Sequence, residues 1–263
     1  MPRPAPWSPD ELLIAFRLYC AEPFGRLHTR NPAVREAAAL IGRTPSAVVF
    51  KACNFASLDP YHRERGVAGF RNAGRADKAL WDEFTADSEQ VAHAAEEAHE
   101  RLSSATATRT LEASGSLDPA PNPPTGPTDI ESLIRARRVQ TFFRRAVLTS
   151  YGHRCAISGV PLPELLNASH IIPWSADEKR RADPRNGLAL HALYDRAFDR
   201  GLLSFDENRR VMISPALEVE SPTPLHRTTL LEIAGLPLQL PTRFPPDEEA
   251  LAYHRRCVFR DTR

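Results

Sequence analysis

Cysteine is scarce in this sequence, and none of the four (Cys20, Cys53, Cys155, Cys257) falls in a CxxC pair. That spacing argues against a structural zinc site. A disulfide framework is not expected in a cytoplasmic chain of 263 residues, so all four read as buried or half-buried thiols. Net charge is nearly absent as well: 34 Lys and Arg against 33 Asp and Glu leave +1. Overall balance gives no argument for nucleic acid, and such a partner has to be argued from where the charges cluster. No apolar run approaches the roughly 20 residues that cross a bilayer, so no membrane partner is expected. Residues Met1 to Pro6 lack the apolar core of a secretion signal, which makes a cytoplasmic location the expectation. No internal repeat is visible.

What is present is an ordinary globular composition, 42% hydrophobic and 25% charged, with length for one large or two modest domains. Residues 1–102 read as a helical module. Ser8-Pro9 is an N-cap with proline at the first helical position, followed by Leu12, Leu13, Phe16 and Tyr19 at helical spacing. Asn31-Pro32 opens a second helix with Val34, Ala38 and Ile41 on one face, and Gly42 ends it. Thr44-Pro45 opens a third, carrying Val48, Val49, Ala52 and Phe55. Two short helices around Gly42-Arg43 match a helix-turn-helix layout. In that layout Arg43, Thr44 and Ser46, with Lys51 and Asn54, would face a DNA groove. Residues 77–102 read as one further helix with eight carboxylates, a solvated face that phosphate would repel. Residues 103–128 turn to Ser, Thr, Ala, Gly and Pro and read as a flexible linker.

Residues 129–263 read as a second domain with its core at 135–214. Its first helix is basic: Arg135, Arg137, Arg138, Arg144, Arg145 and Arg154 occur with no carboxylate between the first and the last. Val139, Phe142, Phe143, Ala146, Val147 and Leu148 supply its buried side, and aromatics interleaved with arginines suit phosphate contact. Tyr151 to Gly159 reads as a short strand closing on a turn. Leu166 to Trp174 is a β-like run with His170 in its middle. After a polar loop come Asn186 to Leu190, a helix from His191 to Gly201, and a hairpin of Leu202 to Phe205 with Val211 to Ser214. Leu230, Leu231, Ile233, Leu236, Leu238 and Leu240 are expected to cover this domain. Phosphodiester hydrolysis needs a base for water, a cation for the developing charge and a group that holds the base. A histidine on a strand, followed by an amide and a carboxylate from a loop and helix, can supply them.

These blocks resemble the HNH nucleases, and the restriction-type branch in particular. The resemblance rests on Ala168-Ser169-His170-Ile171-Ile172-Pro173-Trp174, Asn186-Gly187-Leu188-Ala189-Leu190 and Phe198-Asp199-Arg200-Gly201-Leu202. Arg138-Val139-Gln140, Phe143-Arg144 and Tyr151 through Gly159 add to it. The resemblance implies a ββα-metal finger, making the whole an α+β nuclease domain behind a helical reader. It makes His170 the general base and Asn186 the residue that pins the loop and orients the histidine. Asp195 stands at the third letter and would hold one Mg²⁺ or Mn²⁺ ion. Ser169 stands where relatives carry a stronger ligand, so water, a carbonyl, His191 or the DNA phosphate would complete the shell. Arg138, Gln140, Arg144, Arg145 and Arg154 become contacts to double-stranded DNA. The implied activity is metal-dependent DNA cleavage in a restriction or defence role, with sensing of modified bases open. A double-strand cutter with one site per chain would be expected to act as a homodimer. Two other readings stay open: a DNA-binding protein whose site has decayed, and a nuclease acting on RNA.

Overall fold

The computed structural model describes residues 5–66, 73–107 and 127–262. It is helix-rich with two small antiparallel sheets, and the chain divides into two compact units, Met1–Phe142 and Phe143–Arg263. Most of the expected linker, residues 108–126, lies outside the described residues, and its first five positions continue a helix.

In the first unit every expected start is a helix N-terminus. Helix α1 (Pro9–Ala21) begins with a reciprocal capping box: the Glu11 amide donates to Ser8 Oγ, and the Ser8 amide donates to the Glu11 carboxylate. Asn31 caps α2 (Pro32–Leu40), Thr44 caps α3 (Pro45–Leu58), and Asp59 caps the short α4 (Pro60–Glu64). The expected single helix over 77–102 is instead two, α5 (Arg75–Ala86) and α6 (Ser88–Ala107), broken at Asp87, whose side chain accepts from the Gln90 amide. The core is aromatic. Phe16 lies 5.1 Å from Phe55 and 4.9 Å from Phe84 between ring centroids, both edge-on, with Phe142 at 6.4 Å.

Asp82 and Glu83 are exposed, as a solvated face requires, but five other carboxylates of α5 and α6 are paired with basic side chains. Asp77 is fully buried and accepts from Lys51 Nζ at 2.7 Å, Asn54 Nδ2 at 2.9 Å and the Gly74 amide at 2.9 Å. Glu96 pairs with Arg17 at 2.9 Å. Glu89 pairs with Arg135, and Glu97 and Glu100 pair with Arg138, both arginines lying on α7 (Pro127–Ser150). Two of the five arginines of α7 are therefore paired with carboxylates within the first unit.

The boundary between the units falls inside α7. In the second unit, β1 (Leu166–His170) pairs antiparallel with β2 (Gly187–His191), Ser169 opposite Leu188 and His170 opposite Gly187. Helix α8 (Ala192–Asp199) follows at once, which completes a ββα unit. The hairpin is β3 (Leu203–Phe205) with β4 (Val211–Ile213). After the short α9 (Pro224–His226), α10 (Glu248–Cys257) closes the chain. Leu166, Ile171, Leu188, Leu190, Phe198, Leu203 and Phe205 form the core with Val147 of α7. Gly201 ends α8 at φ +69°, and a Cβ there would lie 2.1 Å from the Val258 carbonyl oxygen, so the C-terminal segment closes over a position that only glycine fits.

Three expectations change. Tyr151 to Gly159 forms turns rather than a strand, because Gly152 and His153 both take positive φ. Leu236 and Leu240 are exposed while Ile233 and Leu238 are buried, and Phe244, Ala250 and Leu251 supply cover the periodicity did not single out. Cys257 is an exposed thiol, and none of the four cysteines is joined in a disulfide.

Candidate active site

Strand alternation divides the site into two sides. Asn167 and Ser169 share one face of β1, and both reach Asp195 in the first turn of α8. The Ser169 hydroxyl donates to Asp195 Oδ1, and Asn167 Nδ2 donates to Oδ2 at 2.7 Å. Asn167 was not singled out from the sequence, although its place two residues before Ser169 on a strand was the available signal.

His170 faces the other way, at the end of β1. Its ring lies flat on Phe143, with centroids 3.8 Å apart and planes 10° off parallel, and Trp174 meets it edge-on at 5.5 Å. Nε2 lies 2.8 Å from the carbonyl oxygen of Arg181. A carbonyl only accepts, so Nε2 carries the proton and the neutral ring keeps its lone pair on Nδ1. The half-buried imidazole is held below its ordinary pKa, first by desolvation and further by the Arg181 guanidinium. The Arg181 carbonyl and the Asp195 carboxylate act in the opposite direction. Asp195 therefore influences His170 through space, without a hydrogen bond between them among the described residues.

Asn186 is almost completely buried and braces the loop between the strands. Its Oδ1 accepts from the Ile172 amide at 2.8 Å, while Nδ2 donates to the carbonyls of Ile172 at 3.2 Å and Arg180 at 3.4 Å. Its own carbonyl accepts from Ile171 at 2.9 Å. The loop that carries Arg181 is fastened again outside. Arg185 grips Asp183 through Nε at 3.0 Å and Nη2 at 2.9 Å, and Arg180 reaches Asp247 at 2.7 Å. Arg181 itself donates Nε to the Trp174 carbonyl at 2.8 Å and lays its guanidinium over the Trp174 ring. Sequence pattern gave no signal for Arg181, because it meets His170 through its backbone.

His191 is used as a helix cap. Its Nδ1 accepts from the Leu193 amide at 3.3 Å, so a neutral ring carries its proton on Nε2 and offers no lone pair for a cation. Cys155 Sγ accepts from the His191 amide at 3.3 Å and from the Ser158 amide at 3.5 Å. Partial desolvation pushes the Asp199 carboxyl up to about 6, with Asp195 one turn earlier adding to the shift against Arg196 and Arg200.

Among the described residues no three His, Cys, Asp or Glu side chains gather as a metal-binding group. What Asp195 assembles is one carboxylate, one hydroxyl and one carboxamide, all carrying oxygen. That donor set fits a hard divalent ion which keeps several waters and takes further oxygens from phosphate.

The expected DNA-contacting residues divide. Arg43 pairs with Glu11 at 2.8 Å, donates to the carbonyls of Ala5 and Pro6, and lies over the Trp7 ring. Lys51 and Asn54 are bound to Asp77, and Thr44 caps α3. Arg138 is held by Glu97, Glu100 and His93. Arg145 is half-buried and engaged. Ser46, Gln140, Arg144 and Arg154 are exposed. Arg144 has a 3.5 Å contact to the Pro163 carbonyl, and Arg154 a 3.3 Å contact to that of Gly159.

A histidine with a free ring nitrogen, on a ββα unit beside an oxygen-rich carboxylate, is an arrangement suited to hydrolysis. Residues 155–206 match the family model for HNH endonucleases. The match covers β1, the Asn186 loop, β2, α8 and β3, and it points to a nuclease. No curated protein matches the chain. No helix among the described residues is long and apolar enough to cross a membrane.

Proposed function

We propose that this protein is a metal-dependent endonuclease that hydrolyses phosphodiester bonds in duplex DNA. The observation that carries the reading is the His170 tautomer: Nε2–H is committed to the Arg181 carbonyl, and Nδ1 is left as a base that feels the Asp195 charge through space. His170 takes the proton from the attacking water, and the Arg181 carbonyl stabilises the imidazolium that results. Asn186 keeps the Ile172 and Arg180 backbone in register, so the carbonyl that fixes the tautomer does not drift. Asp195 and Ser169, with Asn167 steadying the carboxylate, would hold a Mg²⁺ or Mn²⁺ ion. When bound, such an ion stabilises negative charge on the phosphorane and the leaving oxygen.

Arg144 and Arg154, exposed on the nuclease unit, suit contact with the phosphate backbone. A restriction role, with the helical unit choosing the target and the enzyme acting as a pair, extends the same reading. Ser46 at the start of α3 is an exposed polar group available to that unit. Digestion of methylated and unmethylated genomic DNA with Mg²⁺ or Mn²⁺, followed by sequencing of the ends, tests it. Recurrent ends that depend on the metal support the reading, and intact DNA under every condition contradicts it.

A further inference from the structure

We infer that Phe143 is a positioning residue for the His170 base, and that position 187 is glycine in order to seat it. This rests on the nuclease reading for its catalytic meaning, although the seat itself is geometric. Phe143 is buried with its ring flat against the imidazole at 3.8 Å. Gly187 faces His170 in the β1–β2 register. Its φ of −135° is ordinary extended backbone, so glycine is not required there for conformation. It is required for space: a Cβ would lie 2.4 Å from Val147 Cγ2 and 2.8 Å from Phe143 Cζ. The missing side chain lets α7 approach β2 closely enough for Phe143 to lie under the histidine.

The contact does something the hydrogen bond cannot. One N–H···O bond leaves an imidazole able to rotate about the bond axis, and that rotation would swing Nδ1 away from a bound water. A flat aromatic face against the ring removes the rotation, and Trp174 closes the edge. Phe143 therefore sets the direction in which the lone pair points, without touching substrate.

The test compares Phe143→Leu, Gly187→Ala and Val147→Ala in the full chain. Val147 is a buried neighbour of Gly187, on the same helix as Phe143, and controls for simple loss of packing. Single-turnover cleavage at saturating duplex DNA is measured beside the dissociation constant. The His170 ring-proton shifts are recorded by NMR on the same samples. Phe143→Leu and Gly187→Ala are expected to lower the cleavage rate about 10- to 100-fold with affinity unchanged, and to move the His170 ring protons downfield as shielding by the stacked ring is lost. Val147→Ala is expected to keep wild-type shifts and a rate within about twofold of wild type. Wild-type shifts in the first two variants, or rates matching Val147→Ala, overturn the proposal. If the wild-type protein cuts no DNA, the nuclease reading fails, and the shifts still decide whether Phe143 seats His170.

Discussion

His170 Nε2 donates to the carbonyl oxygen of Arg181 at 2.8 Å, and that bond decides which ring nitrogen is free to accept a proton. In the proposed reaction His170 works as a base only when neutral. Desolvation holds its pKa below the ordinary imidazole value, so the neutral form persists to lower pH than for an exposed histidine. The single-turnover cleavage rate is therefore expected to stay level as pH falls to about 6.5, the ordinary histidine value, and to drop only below it. A pH–rate profile that already falls above that value contradicts the assignment.

Asp195 is held from one strand face by Ser169 and Asn167. Removing the carboxylate by Asp195→Ala is expected to cut cleavage by about 100-fold or more and to raise the Mg²⁺ or Mn²⁺ concentration needed. Ser169→Ala leaves the anionic ligand in place and is expected to cost about tenfold, the scale of a weak or supporting ligand. A metal titration of cleavage by each variant checks both, and equal effects would argue against Asp195 as the main ligand.

His254 gives a separate signature in stability. It is buried, stacked on Phe198 at 3.7 Å, and hydrogen-bonded to Ser204 Oγ and the Phe198 carbonyl. Desolvation lowers its pKa to about 4, against the backbone bond to Phe198. Its unfolded value is near 6.5, so between about 4 and 6.5 the unfolded chain binds the extra proton. Stability is complete above that window and is lost as pH falls through it, by about 3 kcal/mol in all. Urea unfolding across this range should show the slope, and His254→Gln should flatten it. An unchanged slope would remove His254 as its cause.

Much of the order of elements in both units was legible in the sequence because each signal is local. Ser8, Asn31 and Thr44 before prolines mark helix starts, and the strand, loop, strand and helix from Leu166 to Asp199 lie within 34 positions. The partners of the charged residues were not legible, because they are distant in sequence. Arg43 meets Glu11 from 32 residues away, and Lys51 meets Asp77 from 26. A basic or polar residue on a helix face reads as a DNA contact until its carboxylate is located. Two features of the site were hidden for a different reason: Arg181 acts through a backbone carbonyl that every residue has, and Phe143 reads as one more apolar position.

That division of the arginines can be measured. Arg144→Ala and Arg154→Ala are each expected to weaken duplex binding and reduce the salt dependence of the binding constant by about one unit of slope. Arg43→Ala and Arg138→Ala are expected to lower the melting temperature and leave that slope unchanged, because their guanidinium groups are committed to Glu11, Glu97 and Glu100. Binding isotherms at several salt concentrations check this, and a lowered slope for Arg43→Ala would return that residue to the DNA-contacting surface.

The most direct measurement is nicking or linearisation of supercoiled plasmid by purified wild-type protein and His170→Ala, each with Mg²⁺, Mn²⁺ or a chelator. Wild-type protein should convert the plasmid with either metal and stop when it is chelated. His170→Ala should bind the same DNA and leave it intact. Equal conversion by the two proteins, or none by either, would contradict a nuclease that works through the imidazole at position 170.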